Sequence, residues 1–343
     1  MSEFQLKTPV AFIIFNRPDT TERVFAEIAK AKPPKLLVVA DGARTNLPKE
    51  AEKVAAARAI IDRVDWDCEV ITNFSEVNLG CKVRVSSGID WIFDQVEEAI
   101  ILEDDCVPHP TFFRFCAELL ERYRNDERIG MISGDNFQFG QIWTNESYYF
   151  SKYTHIWGWA SWRRAWKKYD VKASAWPAIR DGGWIENFRL STNEKLYWSN
   201  TFQSVYDGKI DTWDYQWTLA LWTEGMVSIM PHCNLISNIG FRYDATHTQS
   251  KSIYSDIQLN EITFPIRHPK IILPCLNADN FTGNSMFSMP IMVLFFLVLF
   301  RRIGPIQKDA FDSAVRVAKI LEPIMNVIRP VAKKCKQIIN MIR

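Results

Sequence analysis

Three consecutive acids, Glu103-Asp104-Asp105, follow directly on the apolar run Ala99-Ile100-Ile101-Leu102. Carboxylates this close repel one another unless a cation, or hydrogen bonds from a ligand, offset their charge. The run before them reads as a buried strand, which sets the acids at a strand end instead of on a solvated face. A divalent cation is the obvious partner. Mg²⁺ or Mn²⁺ typically takes one or two carboxylates and completes its shell with water and diphosphate oxygens, so the motif points to a nucleotide ligand and not to an all-protein cage. The other residues able to do chemistry are Arg17, Asp41, Lys82, Arg84, Asp211, Asp214 and His247. Lys82 and Arg84 come just after the turn Asn78-Leu79-Gly80, where a helix start also favours anions; they either serve phosphates there or face solvent.

The elements that must position these groups show in the first half of the chain. Short β-branched runs alternate with helical stretches, the pattern of a parallel sheet with crossover helices. Residues 10–15 read as a buried strand ended by Asn16-Arg17-Pro18, and Asp19 with Glu22 reads as a capping box opening a helix to about Lys32. Residues 35–40 form a second strand closed by Asp41-Gly42, a helix follows Pro48 to about Val64, and a third strand covers residues 69–72. A helix over about residues 82–94 leads into the fourth strand, residues 99–102. In open α/β sheets ligands collect beyond the carboxyl ends of strands, and Asn16, Arg17, Asp41, Glu103, Asp104 and Asp105 all fall at such ends. From about Ile142 the pattern turns irregular and aromatic, with a clear helical period only over residues 215–224, and it reads as the second half of one domain ending near residue 280.

Of the 343 residues, 47% are hydrophobic and 24% charged, the proportions of a folded protein with a large core. Eleven of the 13 tryptophans lie between Trp143 and Trp222, a density that sugar-handling surfaces use for stacking and that core packing also explains. The net charge of +1 conceals a segregation. Residues 301–343 hold ten Lys and Arg against three Asp and Glu, a net +7, which leaves −6 for residues 1–300. Residues 286–300 are apolar apart from Ser288, shorter than the roughly 20 residues that span a bilayer. Residues 281–343 therefore read as an apolar, basic, helix-like tail that dips into an anionic membrane surface, at roughly 1 kcal/mol per basic residue near the lipid. Packing on the body or on another subunit is the alternative. Seven scattered cysteines without a CxxC pair fit neither a zinc ribbon nor a complete disulfide framework, and the first residues hold no apolar signal core. A cytoplasmic body is the expectation, and nucleic acid is not an expected partner.

Residues 101–113, Ile-Leu-Glu-Asp-Asp-Cys-Val-Pro-His-Pro-Thr-Phe-Phe, resemble the metal-binding segment of the N-acetylglucosaminyltransferase I family. Pro-Val-Ala-Phe-Ile-Ile-Phe-Asn-Arg-Pro (9–18), Ala40-Asp41-Gly42, Gly158-Trp159 and Trp213-Asp214 resemble further segments of that family in the same order, so the resemblance spans residues 9 to about 248. The chain is also similar to bacterial family-2-like sugar transferases of surface polysaccharide assembly. The resemblance implies a GT-A fold, a Rossmann-like and mostly parallel sheet with flanking helices, with a nucleotide-binding half over residues 1–142 and an acceptor half over 143–280. It implies an inverting, Mn²⁺- or Mg²⁺-dependent transfer of a sugar from a nucleotide-diphosphate sugar, UDP-linked above all, to a hydroxyl of a glycan or lipid-linked acceptor. The corresponding location is peripheral, on the inner face of a bacterial membrane.

Residue by residue, the resemblance implies that Asp105 contacts the metal, that Glu103 and Asp104 hold the ribose or flank the metal, that Asp41 accepts a hydrogen bond from the uracil ring, and that Arg17 faces the diphosphate. Turn chemistry before Gly42 and a surface ion pair are the simpler readings of Asp41 and Arg17. Trp159, in His155-Ile-Trp-Gly-Trp159, lines a sugar or packs in the core. Inversion needs a carboxylate that takes the acceptor's proton. Asp214 lies in Asp211-Thr-Trp-Asp-Tyr-Gln-Trp217, which resembles the family's Trp-Asp-Asp-Trp base segment with Tyr215 and Gln216 in place of the second Asp. Asp211 is the reserve candidate, and a capping role for Asp214 is compatible with catalysis. His247 resembles the late histidine that many GT-A enzymes give to the metal, although a loop histidine also serves as a plain hydrogen-bonding group. A non-catalytic nucleotide-sugar or glycan-binding protein of the same fold is the alternative. A nucleotidyltransferase ranks below both, because no Gly-rich phosphate loop follows the first strand.

Overall fold

The computed structural model describes residues 4–241 and 257–287. The chain begins with β1 (Val10–Ile14), α1 (Pro18–Ala31), β2 (Lys35–Ala40), α2 (Glu50–Ala59), β3 (Glu69–Phe74), α3 (Gly80–Gln95) and β4 (Glu98–Glu103). It continues with β5 (Cys106–Pro108), α4 (Pro110–Tyr123), β6 (Ile129–Ser133), β7 (Tyr148–Ser151), β8 (Trp159–Trp162), α5 (Arg163–Trp166) and α6 (Trp176–Asp181). Then come α7 (Thr192–Tyr206), α8 (Asp214–Thr223), β9 (Val227–Pro231), β10 (Ile236–Asn238) and α9 (Leu276–Met286).

Eight strands form one sheet in the order β3-β2-β1-β4-β8-β6-β9-β7. β1 pairs in parallel with β2 and β4, β2 with β3, and β6 with β9. β8 runs against β4 and β6, and β7 runs against β9. The result is a mixed α/β arrangement around a large, mostly parallel sheet.

Period-two alternation explains how this sheet is covered on both faces. Val10, Phe12 and Ile14 of β1, Leu36 and Val38 of β2, and Ile100 and Leu102 of β4 pack on Val24, Phe25 and Ile28 of α1 and on Phe112 and Phe115 of α4. Their neighbours Ala11, Ile13, Leu37, Val39, Ala99 and Ile101 point the other way, onto Val85, Ile89 and Ile92 of α3 and Trp217 and Leu221 of α8. The tryptophan-rich region belongs largely to this second layer. Trp159 is 0% exposed and stacks on Trp213 with ring centroids 5.8 Å apart, beside Trp166 and Trp217. It is therefore a core residue, and the expectation that its ring lines a sugar is overturned. Trp159→Ala is expected to cost about 3–5 kcal/mol in urea unfolding, the range for truncating a buried aromatic; a ring stacked on ligand at the surface would leave the midpoint nearly unchanged.

The expected Asp19–Glu22 capping box is absent. Helix α1 starts two residues earlier, with Pro18 in its first turn and Arg17 at the cap, and the hydroxyls of Thr20 and Thr21 donate to the Arg17 carbonyl. Glu22 instead pairs with Arg63 at 2.6 Å.

Among the described residues, 4–188, 199–241 and 257–282 form one compact unit, and 189–198 with 283–287 a second. In the second, Tyr197 and Trp198 lie against Phe287 with ring centroids 5.5 and 4.8 Å apart. From residue 288 onward the expected tail lies outside the described residues. Among the described residues no helix is long and apolar enough to cross a membrane.

Candidate active site

From β1 the chain runs outward to β2 and β3, then returns to the other flank of β1 as β4. The crevice beyond the carboxyl ends of β1 and β4 is thus the point where strand order reverses, the place where open α/β sheets collect ligands. Arg17 leaves β1 there, and the acid triplet ends β4 beside it, with Ile13 in register with Glu103. Asp104, whose side chain is 4% exposed, accepts from the Phe15 N–H at 3.1 Å and from Arg17 Nη2. Arg17 Nη1 reaches Asp105 Oδ2 at 2.9 Å, and Asp105 is the more open of the two acids, at 14%.

Burial works against the Arg17 charge, yet Asp104 and Asp105 outweigh it and hold the guanidinium charged well above the ordinary arginine range. Burial pushes Glu103 up to about 8, with Asp105, Asp104 and Asp214 adding to the rise and Arg17 opposing it. Burial likewise raises Asp104 to about 6 against the pull of Arg17. One arginine therefore faces more negative charge than it can neutralise, and a second cation would relieve it.

The corner is braced from the far end of the chain. β5 and β10 form an antiparallel ribbon with Cys106 opposite Asn238, and the Ile239 N–H donates to the Asp105 carbonyl at 2.8 Å. A β-carbon on Gly240 would overlap Asp105 Oδ2 and come within 3.0 Å of Arg17 Nη1. Only glycine lets the backbone pass that close. Gly240→Ala is expected to displace the ion pair and to cost about 1–3 kcal/mol in urea unfolding, the range for overpacking a filled site; an unchanged midpoint would contradict the close packing at this corner.

Two expected nucleotide contacts take other roles. Asp41 is buried and accepts from Gly42 N–H at 2.9 Å, Asn78 Nδ2 at 3.0 Å, Leu79 N–H at 2.9 Å and Gly80 N–H at 3.1 Å. Four donors fill the roughly four acceptor sites of a carboxylate, so Asp41 fixes the start of α3 and has no lone pair left for a uracil N–H. Arg84 is also buried, donating to the Ala40 carbonyl at 3.2 Å and to Asn73 Oδ1 at 3.0 Å. It ties the ends of β2 and β3 together and does not face phosphate. Lys82 remains half-buried at the α3 start, but its N–H is taken by Asp211 Oδ1 at 3.2 Å.

Asp211 thus caps α3, whereas Asp214, the first residue of α8, accepts from the Thr212 hydroxyl and is close enough to Glu103 to oppose its ionisation. Gln216, where the resemblance has an acid nearby, donates to the Thr212 carbonyl at 2.8 Å and closes the turn that presents Asp214. The Cys81 thiol, in the first turn of α3, is pushed far up by burial and then by the charges of Glu103, Asp211, Asp214 and Asp41. His247 lies outside the described residues.

For a divalent cation the chemistry of the donors is the test. Asp105, with Glu103 beside it, offers hard oxygen ligands at a partly open corner, which suits Mg²⁺ or Mn²⁺ sharing its shell with water and phosphate oxygens. Among the described residues no group of three His, Cys, Asp or Glu side chains stands at ligand spacing, so an all-protein cage does not fit.

No protein-family model and no curated protein matches the chain. A crystal structure of UDP-glucose pyrophosphorylase complexed with UDP-glucose is similar at a TM-score of 0.31 and 10% sequence identity, over 65% of this chain and 90% of that one. So slight a likeness leaves the functional argument to the geometry.

Sequence patterns passed over three residues that the fold brings to the same edge. Gly240 had no signal beyond its place between two strand-like residues. Glu50 binds Asn16 Nδ2 at 2.8 Å and the Arg44 N–H at 2.7 Å, ordering the loop beyond β2. Asp135, just past β6, accepts from the Trp157 N–H at 2.9 Å through Oδ2 while Oδ1 has no partner among the described residues. Burial drives its carboxyl well above the usual range.

Proposed function

We propose that the chain is an inverting, divalent-metal-dependent glycosyltransferase that moves a sugar from a nucleotide-diphosphate sugar, UDP-linked by preference, to an acceptor hydroxyl. The observation that carries this reading is the convergence of Arg17, Glu103-Asp104-Asp105 and Asp214 on the switch-point crevice. Asp105, supported by Glu103, would hold the cation. Mn²⁺ or Mg²⁺, when bound, supplies a Lewis acid that neutralises charge on the departing diphosphate. Arg17 then exchanges part of its pairing with the acids for diphosphate oxygens, a planar donor suited to that task. Asp214 accepts the proton of the acceptor hydroxyl as that oxygen bonds to the anomeric carbon, while the bond to the diphosphate breaks on the opposite face and its electron pair leaves with the nucleotide.

A cleft of about 440 Å³ lined by Gly42, Arg58, Phe74 and Ser75 borders the Asp41 loop and suits the nucleoside. The basic C-terminal stretch beside an acidic body favours attachment to the cytoplasmic face of an anionic membrane, a glycan or lipid-linked acceptor, and a place in surface polysaccharide biosynthesis. The test is to incubate the protein with a panel of UDP-sugars and Mn²⁺ and to follow UDP release. At least one sugar is expected to be released, and chelator to stop it. Tight donor binding with no release from any sugar would favour the non-catalytic reading instead, to which Tyr215 and Gln216 in the base segment lend some support.

A further inference from the structure

A second cleft, of about 390 Å³, opens beside the first turn of α3 and is lined by Lys82, Lys172, Ser174 and Tyr206. It lies next to the carboxylate cluster, since the Lys82 N–H is the group capped by Asp211, three residues before Asp214. The Asp170 carboxylate accepts from the Lys172 N–H at 2.9 Å and the Ser174 N–H at 2.7 Å, closing the turn that delivers both residues to the cleft. Neither lysine ammonium is in an ion pair among the described residues, although Asp170 lies close enough to Lys172 to feel its charge and Asp211 sits at the Lys82 backbone. Two lysines thus line one hollow in a body whose first 300 residues carry −6. Tyr206, 45% exposed, adds a ring face, while the Ser174 hydroxyl is bound to Asp170. A ring for stacking and two cations outside any ion pair are the chemistry that holds an acidic sugar.

We propose that this cleft binds an anionic substituent, phosphate or carboxylate, on the acceptor saccharide, with Lys82 and Lys172 as its charge partners. The proposal rests on the reading of Asp214 as the base only in calling the ligand an acceptor. It reassigns Lys82 from the donor phosphates to the acceptor. A sugar held here by its anionic group lies next to the carboxylates of Asp211 and Asp214, so the lysines act as specificity residues.

The test is calorimetric titration with glucose 1-phosphate, glucuronate and glucose, each in the presence of saturating UDP and Mn²⁺ so that the donor crevice is filled. One of the two anionic sugars is expected to bind at least about tenfold more tightly than glucose, the scale of a charge-assisted hydrogen bond; which of them does so tells phosphate from carboxylate. Lys82→Gln with Lys172→Gln is expected to remove that preference, and Lys82→Arg with Lys172→Arg to keep most of it. Equal binding of all three sugars, or a preference that survives the double glutamine variant, overturns the proposal. Should UDP fail to bind, the donor reading falls, while the same titration without UDP still decides whether the two lysines hold an anion.

Discussion

Asp214→Asn is expected to lower kcat by about 10²–10⁴-fold, the usual contribution of a general base, with donor affinity unchanged. The amide keeps the shape of the side chain and its place at the start of α8, so the loss reports proton transfer and not a collapsed turn. Two observations single out Asp214 over Asp211. Asp214 lies close enough to Glu103 to oppose its ionisation, whereas Asp211 is engaged with the Lys82 N–H at the start of α3. Asp211→Asn should accordingly act as a weakened helix cap, with a loss of about 1 kcal/mol or less in stability and a much smaller change in kcat. A reversed ranking of the two variants in steady-state kinetics would transfer the base role to Asp211.

Arg17→Gln is expected to destabilise the protein by about 3–5 kcal/mol, the cost of leaving a buried charge without its partner. Asp104 is almost fully buried and pairs with Arg17 Nη2, and Asp105 pairs with Nη1 at 2.9 Å. Glutamine preserves part of the stem and polarity but none of the charge. If the corner is built for cations, Mn²⁺ should restore part of the lost stability, raising the unfolding midpoint with metal concentration as any ligand selective for the native state does. A variant that unfolds like the native protein, or one indifferent to Mn²⁺, would show that the acids are tolerated without a cation.

The half of the fold that displays its period in sequence is the half in which each strand is followed by a helix. The strand expected over residues 35–40 is β2, and those expected over 69–72 and 99–102 lack only a residue or two at their ends. β2 and β4 are apolar on both faces and end at polar turns, so pattern and structure coincide, while β3, at the sheet edge, is partly exposed. The second half hides its strands because β7 and β8 have only four residues each and are rich in Tyr and Trp, which read as aromatic clutter instead of as two-sided burial. β8 also enters the sheet against its neighbours, between β4 and β6, an insertion that no local pattern announces.

For the site, the acid triplet was legible because three like charges at a strand end demand an explanation from chemistry. Asp41 and Arg84 misled because their residue types suit a ligand, while their actual partners are backbone groups set by the tertiary fold: the Leu79 and Gly80 amides in one case, the Ala40 and Asn73 carbonyls in the other. Trp159 misled for the related reason that a ring suited to a sugar is equally suited to the space between α3, α8 and the sheet.

The most direct test is calorimetric titration of UDP into the native protein and into Asp105→Ala, each with Mn²⁺ and each with chelator. Binding only where Mn²⁺ and Asp105 are both present is the predicted result and would establish the crevice between β1 and β4 as a metal-dependent nucleotide site. Binding of equal strength with chelator or in the variant, or no binding under any condition, would contradict it.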